Sequence, residues 1–147
     1  MTLFYDSTRP NQIPAGSWAC LYGDGDYAAT PKQAERFSMV RWITVLGNYQ
    51  NCGCADYEPG NEVFEPGKLR AWAKGRAAMN CRARVYTDKA NLANAQVEVS
   101  GLTNVVWWIA TLNGDPLNST WLPDMWGVQY RGGPNADYDV SILYGDW

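Results

Sequence analysis

At 147 residues, 46% of them hydrophobic, the chain has the size and apolar content of one domain with one core, spanning residues 1–147. Its 12 basic and 15 acidic residues leave a formal charge of -3 with no run of Lys or Arg, which excludes a surface that tracks nucleic-acid phosphates. It contains no histidine, so Ser-His-Asp and Cys-His catalysis and His-based zinc sites are excluded, and acid–base chemistry falls to carboxylates, Lys, Tyr or Cys.

In chain order, the first apolar run predicts a strand over Thr2 to Asp6, with Asp6 closing Leu3-Phe4-Tyr5. A second strand is predicted over Ser17 to Tyr22. The following Gly23-Asp24-Gly25-Asp26 lacks the spaced ligands and terminal Glu of a calcium loop and reads as a tight turn. Thr30-Pro31-Lys32-Gln33 is a capping box with Pro at the first helical position, so a helix should run on through Phe37. Strands follow at Arg41 to Leu46 and Cys52 to Glu58. A second helix should start near Pro66 and place Leu69, Trp72, Ala73, Arg76 and Ala77 along one side before stopping near Asn80. The rest reads as strand Ala83 to Thr87, a weaker helix from Thr87 through Gln96, and strands Val105 to Thr111, Met125 to Tyr130 and Tyr138 to Leu143.

Strands alternating with short helical segments predict a mainly parallel sheet, and eight strands are the number that closes a (β/α)8 barrel. The expected fold is therefore α/β, a reduced TIM-barrel-like single domain. About 18 residues per unit is far below the roughly 250 residues of an ordinary barrel of this kind, so some outer helices must be trimmed or missing. An open α/β sheet is the alternative. No apolar stretch approaches the roughly 20 residues of a bilayer span, and the start has neither a basic n-region nor an apolar h-region. The chain is thus expected to have no signal peptide and no membrane partner.

The richest segment is Asn51-Cys52-Gly53-Cys54-Ala55-Asp56-Tyr57-Glu58-Pro59-Gly60. A strand has a side-chain period of two, so Cys52, Cys54, Asp56 and Glu58 should share one face while Ala55 and Tyr57 take the other. If that face looks into a barrel, the sulfurs lie in the filled interior and the acids emerge at the carboxyl-terminal mouth, where such barrels hold their sites. Alternate backbone positions lie about 6.6 Å apart, which straddles the roughly 5 to 5.5 Å of a retaining glycosidase pair and the roughly 6.5 to 9.5 Å of an inverting one. Asp-x-Glu is common on ordinary surfaces, and Asp6 and Asp139 read equally well as turn or capping residues. As a set, Asp6, Asp56, Glu58 and Asp139 are the candidate catalytic acids.

Cys20, Cys52, Cys54 and Cys81 lack paired CxxC spacing and are expected to be reduced and buried, with a Cys20 to Cys81 disulfide or a metal site as alternatives. No cofactor or metal is expected. Eight Trp residues suit stacking on sugar rings, yet such rings more often fill a core or an interface.

The ordered set Tyr5-Asp6-Ser7, Ile13-Pro14-Ala15-Gly16, Asp56-Tyr57-Glu58, Arg84-Val85-Tyr86, Trp108-Ile109-Ala110, Val128-Gln129-Tyr130 and Tyr138-Asp139-Val140-Ser141 resembles glycoside hydrolase family 25. These are the lysozyme-like muramidases and their actinobacterial and actinobacteriophage relatives. The resemblance covers nearly the whole chain. It implies that Glu58 donates a proton to the glycosidic oxygen, that Asp56 stabilises the developing positive charge, and that Asp6 and Asp139 complete an acidic floor. Tyr22, Tyr86, Trp108 and Gln129 would line the substrate groove. The implied partner is bacterial cell-wall polysaccharide, and the implied location is a phage virion, or the host cytoplasm before release. The chain is shorter than typical members, and the third strand has no aromatic that aligns with the family's substrate tyrosine. Two alternatives stand beside the hydrolase: a virion structural or decoration protein that self-associates or binds other virion proteins, and a non-catalytic glycan-binding module.

Overall fold

The computed structural model describes residues 2–115 and 122–147. Eight strands close a barrel in simple chain order: β1 (Thr2–Asp6), β2 (Trp18–Tyr22), β3 (Met39–Thr44), β4 (Cys54–Asp56), β5 (Ala83–Asp88), β6 (Val105–Ala110), β7 (Met125–Arg131) and β8 (Asp139–Leu143). Closure overturns the open-sheet alternative. The described α-helices are α1 (Pro31–Ala34), α2 (Lys68–Ala78) and α3 (Leu92–Glu98), with 3-10 turns at Pro10–Gln12 and Glu62–Phe64. The fold is thus a mixed α/β, closed eight-stranded barrel with few helices, and no described helix is long and apolar enough to cross a membrane.

The first seven strands pair parallel, but β8 runs antiparallel to both β7 and β1. The reason is length: only residues 132–138 join β7 to β8, and a parallel return needs a crossover of a dozen or more residues. A reversed β8 begins at the mouth where β1 to β7 end. Asp139, its first residue, consequently pairs with Asp6, the last residue of β1.

Strand alternation sorts the apolar residues into an inner and an outer core. Phe4, Cys20, Ile43, Cys54, Val106, Trp108 and Trp126 fill the barrel, where Phe4 meets Trp108 and Trp126 at ring-centroid distances of 5.1 and 5.0 Å. Outside β4 to β6, Leu69, Trp72 and Ala73 of α2 and Ala95 of α3 pack on Ala55, Val85, Val105, Trp107 and Ile109. A smaller cluster of Ile13, Ala19, Leu21 and Phe37 covers β2. All seven described tryptophans are buried or half-buried, so the Trp excess goes into packing.

Several elements end earlier than their sequence predicts. Thr30 does form the capping box, its hydroxyl accepting from the Gln33 N–H at 3.2 Å while Gln33 Oε1 accepts from the Thr30 N–H at 2.8 Å. Yet α1 stops at Ala34, because Phe37 enters the cluster on β2 and the Ser38 N–H turns to the Ser17 carbonyl to start β3. Along α2, Leu69, Trp72, Ala73 and Arg76 are buried as expected, whereas Ala77 is exposed. All four cysteines are free; Cys20, Cys52 and Cys54 are buried and Cys81 is half-exposed, at the end of the α2–β5 turn.

Candidate active site

The carboxyl-terminal mouth collects carboxylates from three strand ends. Asp6 and Asp56 close β1 and β4 and are 5% and 4% exposed, Asp139 opens β8, and Glu58 lies two residues past β4. Period-two alternation on β4 holds: Cys54 and Asp56 face inward, Ala55 and Tyr57 outward. The strand is shorter than Cys52 to Glu58, however. After the Tyr57 N–H donates to the Tyr86 carbonyl at 2.9 Å, the chain turns, with the Asn61 N–H donating to the Glu58 carbonyl at 3.2 Å. Glu58 therefore sits half-buried on a turn at the rim rather than in the sheet.

Hydrogen bonding leaves these acids short of donors. The Tyr22 hydroxyl, from the end of β2, donates to Asp56 Oδ2 at 3.1 Å, and the Asn61 amide donates to the Asp56 backbone carbonyl at 3.0 Å. Asp139 Oδ1 accepts from the Gly133 N–H at 2.9 Å. Asp6 Oδ1, Asp56 Oδ1 and Gln129 Oε1 are buried and unpartnered. Among the described residues the two ion pairs, Arg9–Asp137 and Lys68–Glu62, involve none of the four acids. No described group of Cys, Asp and Glu is arranged to hold a metal ion.

Crowded, buried carboxylates without cations retain protons. Burial, then the charges of Asp139, Asp56 and Glu58, hold Asp6 well above the usual carboxylate range. Burial and the adjacent Glu58 push Asp56 up to about 7, against the Tyr22 hydrogen bond, which favours its ionised form. Glu58 is raised by burial and by Asp88 and Asp139, and Asp139 by burial against the Gly133 N–H. Burial and then the surrounding acids also raise the Tyr22 and Tyr86 hydroxyls, which stay protonated at neutral pH. The cluster can thus both hold a proton near neutrality and carry net negative charge.

A cleft of about 480 Å³ opens on the Asp6 and Asp139 side of this cluster, lined also by Ser7, Arg9, Tyr22 and Tyr138 but not by Asp56 or Glu58. A larger groove of about 930 Å³, holding Tyr57, Phe64, Glu62 and Glu98, contains none of the four acids. A narrower depression lined by Tyr22, Tyr27, Asp26, Leu46 and Asn61 lies between them, sharing Tyr22 with the cleft and Leu46 and Asn61 with the larger groove.

Of the four expected groove residues, Tyr22 borders the cleft, and half-buried Tyr86 pairs in register with Asp56. Trp108 and Gln129 are 1% and 2% exposed and lie below the mouth as packing. Tyr86 covers Trp108 edge-on at a centroid distance of 4.7 Å, and Trp108 Nε1 donates to Ser141 Oγ at 3.0 Å. Sequence reasoning missed Ser7, Asn61, Asp88, Tyr138 and the Gly132-Gly133 loop that seats Asp139. Of these, Ser7 and Tyr138 stood in the motifs of the resemblance with no role assigned to them, and the Gly-Gly pair carried a signal as a turn marker. Asp24, read correctly as part of a tight loop, ties that loop to β3: its carboxylate accepts from Thr44 Oγ1 at 2.5 Å and the Val45 N–H at 2.8 Å. Compared with known protein families, curated proteins and solved structures, the chain finds no match.

Proposed function

We propose that this chain is a glycoside hydrolase of the lysozyme-like family 25 type, its barrel a reduced (β/α)8 fold, acting on bacterial cell-wall glycan. The observation that carries the reading is the meeting of Asp6, Asp56, Glu58 and Asp139 at one barrel mouth, with no ion pair to a cation among the described residues. Hydrolysis through an oxocarbenium-like transition state needs a proton donor and nearby negative charge. In this reading Glu58, half-buried at the rim, gives its proton to a glycosidic oxygen. Asp56, steadied by Tyr22, faces the developing positive charge, while Asp6 stays neutral beneath and Asp139 adds charge from the facing strand. Three neighbouring depressions, rather than one enclosed pocket, suit a polymer better than a monosaccharide.

The test is release of reducing sugar from purified bacterial cell wall by the wild-type chain and by Glu58→Gln between about pH 4 and pH 8. Loss of a general acid costs roughly 10²- to 10⁴-fold in rate, so turnover should fall by at least about 100-fold in the variant. Wild-type turnover should be bell-shaped in pH, rising as Asp56 ionises at about 7 and falling where Glu58, raised by burial and by Asp88 and Asp139, gives up its proton. Binding of wall glycan without any turnover would instead make the chain a non-catalytic glycan-binding protein.

A further inference from the structure

The opposite mouth of the barrel gathers arginines. Arg41 near the start of β3, Arg84 near the start of β5 and Arg76 on α2 gather there; Arg84 and Arg76 are 6% and 8% exposed, and Arg41 is half-exposed. The Arg84 guanidinium lies 5.2 Å from the Trp126 ring centroid and that of Arg41 lies 5.8 Å from the Trp147 ring. Arg76 is anchored by Nε to the Arg82 carbonyl at 3.3 Å and by Nη1 to the Tyr49 carbonyl at 3.0 Å. The Nε groups of Arg41 and Arg84 are buried with no acceptor. Among the described residues, no side-chain or terminal carboxylate ion-pairs with any of the three. Like charges crowded out of water without a counter-charge are costly, and each unpartnered buried donor adds to that cost.

Gly53 marks where two of these groups converge. A Cβ built there would lie 3.6 Å from Arg76 Nη2 and 3.8 Å from Arg84 Nη1, so both guanidinium edges face the backbone at this glycine. We propose that this end of the barrel binds a small tetrahedral oxyanion of the phosphate type, held over Gly53 between Arg76 and Arg84 with Arg41 at its entrance. Guanidinium forks match the oxygens of such an anion, and cation–π contacts to tryptophan leave their in-plane donors free to make those bonds. The internal competitor for this role is the thiol of Cys54. Despite burial, it is shifted down, by the Cys20 thiol hydrogen-bonded to it and by Arg84, Arg41 and Arg76. One sulfur already bonded to Cys20 cannot satisfy several planar N–H donors, and the oxyanion can.

The test is thermal unfolding with inorganic phosphate, sulfate, methyl phosphate or chloride at matched ionic strength. A ligand that binds only the folded state raises the unfolding temperature in a saturable way, and phosphate and sulfate should do so while chloride should not. Saturation by methyl phosphate as well would assign the site to a terminal phosphate group; saturation by the inorganic ions alone would assign it to the free ion. Gly53→Ala is the decisive variant, because Gly53 is not in the left-handed region and its Cβ would sit at ordinary contact distance. It should fold with the anion-free stability of the wild type yet bind the oxyanion at least about tenfold more weakly, because the methyl comes between the anion and the two guanidinium edges. Arg84→Met keeps the stem against Trp126 and should lose the response as well. Equal responses to chloride and phosphate, or an undiminished phosphate response in Gly53→Ala, would overturn the proposal. So would a thiolate absorbance that disappears in Cys54→Ser with no saturable phosphate response, which would make Cys54 the counter-charge.

Discussion

Asp56 is pulled in two directions by its neighbours: burial and Glu58 favour its neutral form, whereas the Tyr22 hydroxyl donates to its ionised form. Tyr22→Phe removes only the second influence. The Asp56 titration midpoint should therefore move further up from about 7, by about one pH unit if the bond has the usual strength of one to a charged group. Carbon-13 NMR of the carboxyl signals would show this without any substrate, and an unmoved midpoint would mean that the hydroxyl does not select the ionised form. Asp56 was legible from strand period and strand end, whereas the gathering of Asp6, Glu58 and Asp139 around it was expected from the family resemblance. What stayed hidden was depth. Trp108 and Gln129 sit on the same inward faces as the mouth residues, and alternation tells inside from outside but not how far down the barrel a side chain lies.

At the level of elements, the order of eight strands could be read from the chain, but the direction of the last one could not be read from its own residues. It follows from the brevity of the 132–138 link, which permits a hairpin and forbids a parallel crossover. The α1 end was missed for a related reason: helix periodicity continues to Phe37, but tertiary pairing of Ser38 with Ser17 stops the helix first. The β7–β8 link also builds the site. Gly132 has φ +139, and a Cβ on it would run into the Asp139 carboxyl, while Gly133 has φ +114 with open space around it. Gly132→Ala and Gly133→Ala both force a side chain into backbone conformations that L residues rarely adopt, costing about 1–3 kcal/mol each in urea unfolding. Only Gly132→Ala should also displace Asp139. Its loss of hydrolytic rate should thus exceed that of Gly133→Ala at equal stability, and equal losses would show that the Asp139 contact has no part in the site.

Across the whole molecule, a formal charge of -3 conceals a polar arrangement, with proton-holding carboxylates at one mouth of the barrel and, at the other, guanidinium groups that form no ion pair among the described residues. This separation has a consequence for stability that can be worked out in sign. Asp6, Asp56, Glu58 and Asp139 all have folded values raised above their ordinary ones, so between those two values the native state binds more protons than the unfolded chain. Unfolding free energy then falls as pH rises. For Asp56 the window runs from 3.8 to about 7, and a shift of that size corresponds to on the order of 4 kcal/mol once the pH passes the upper value. With no histidine in the chain, few other groups titrate in this range, so the effect stands out. Urea unfolding should show a protein more stable near pH 5 than near pH 8. Asp6→Asn, a neutral isostere of the protonated acid, should raise stability at the higher pH and flatten the dependence. A wild-type stability that climbs toward pH 8 would instead mean that the mouth holds its carboxylates ionised, and the proton available to Glu58 would have to come from outside the cluster.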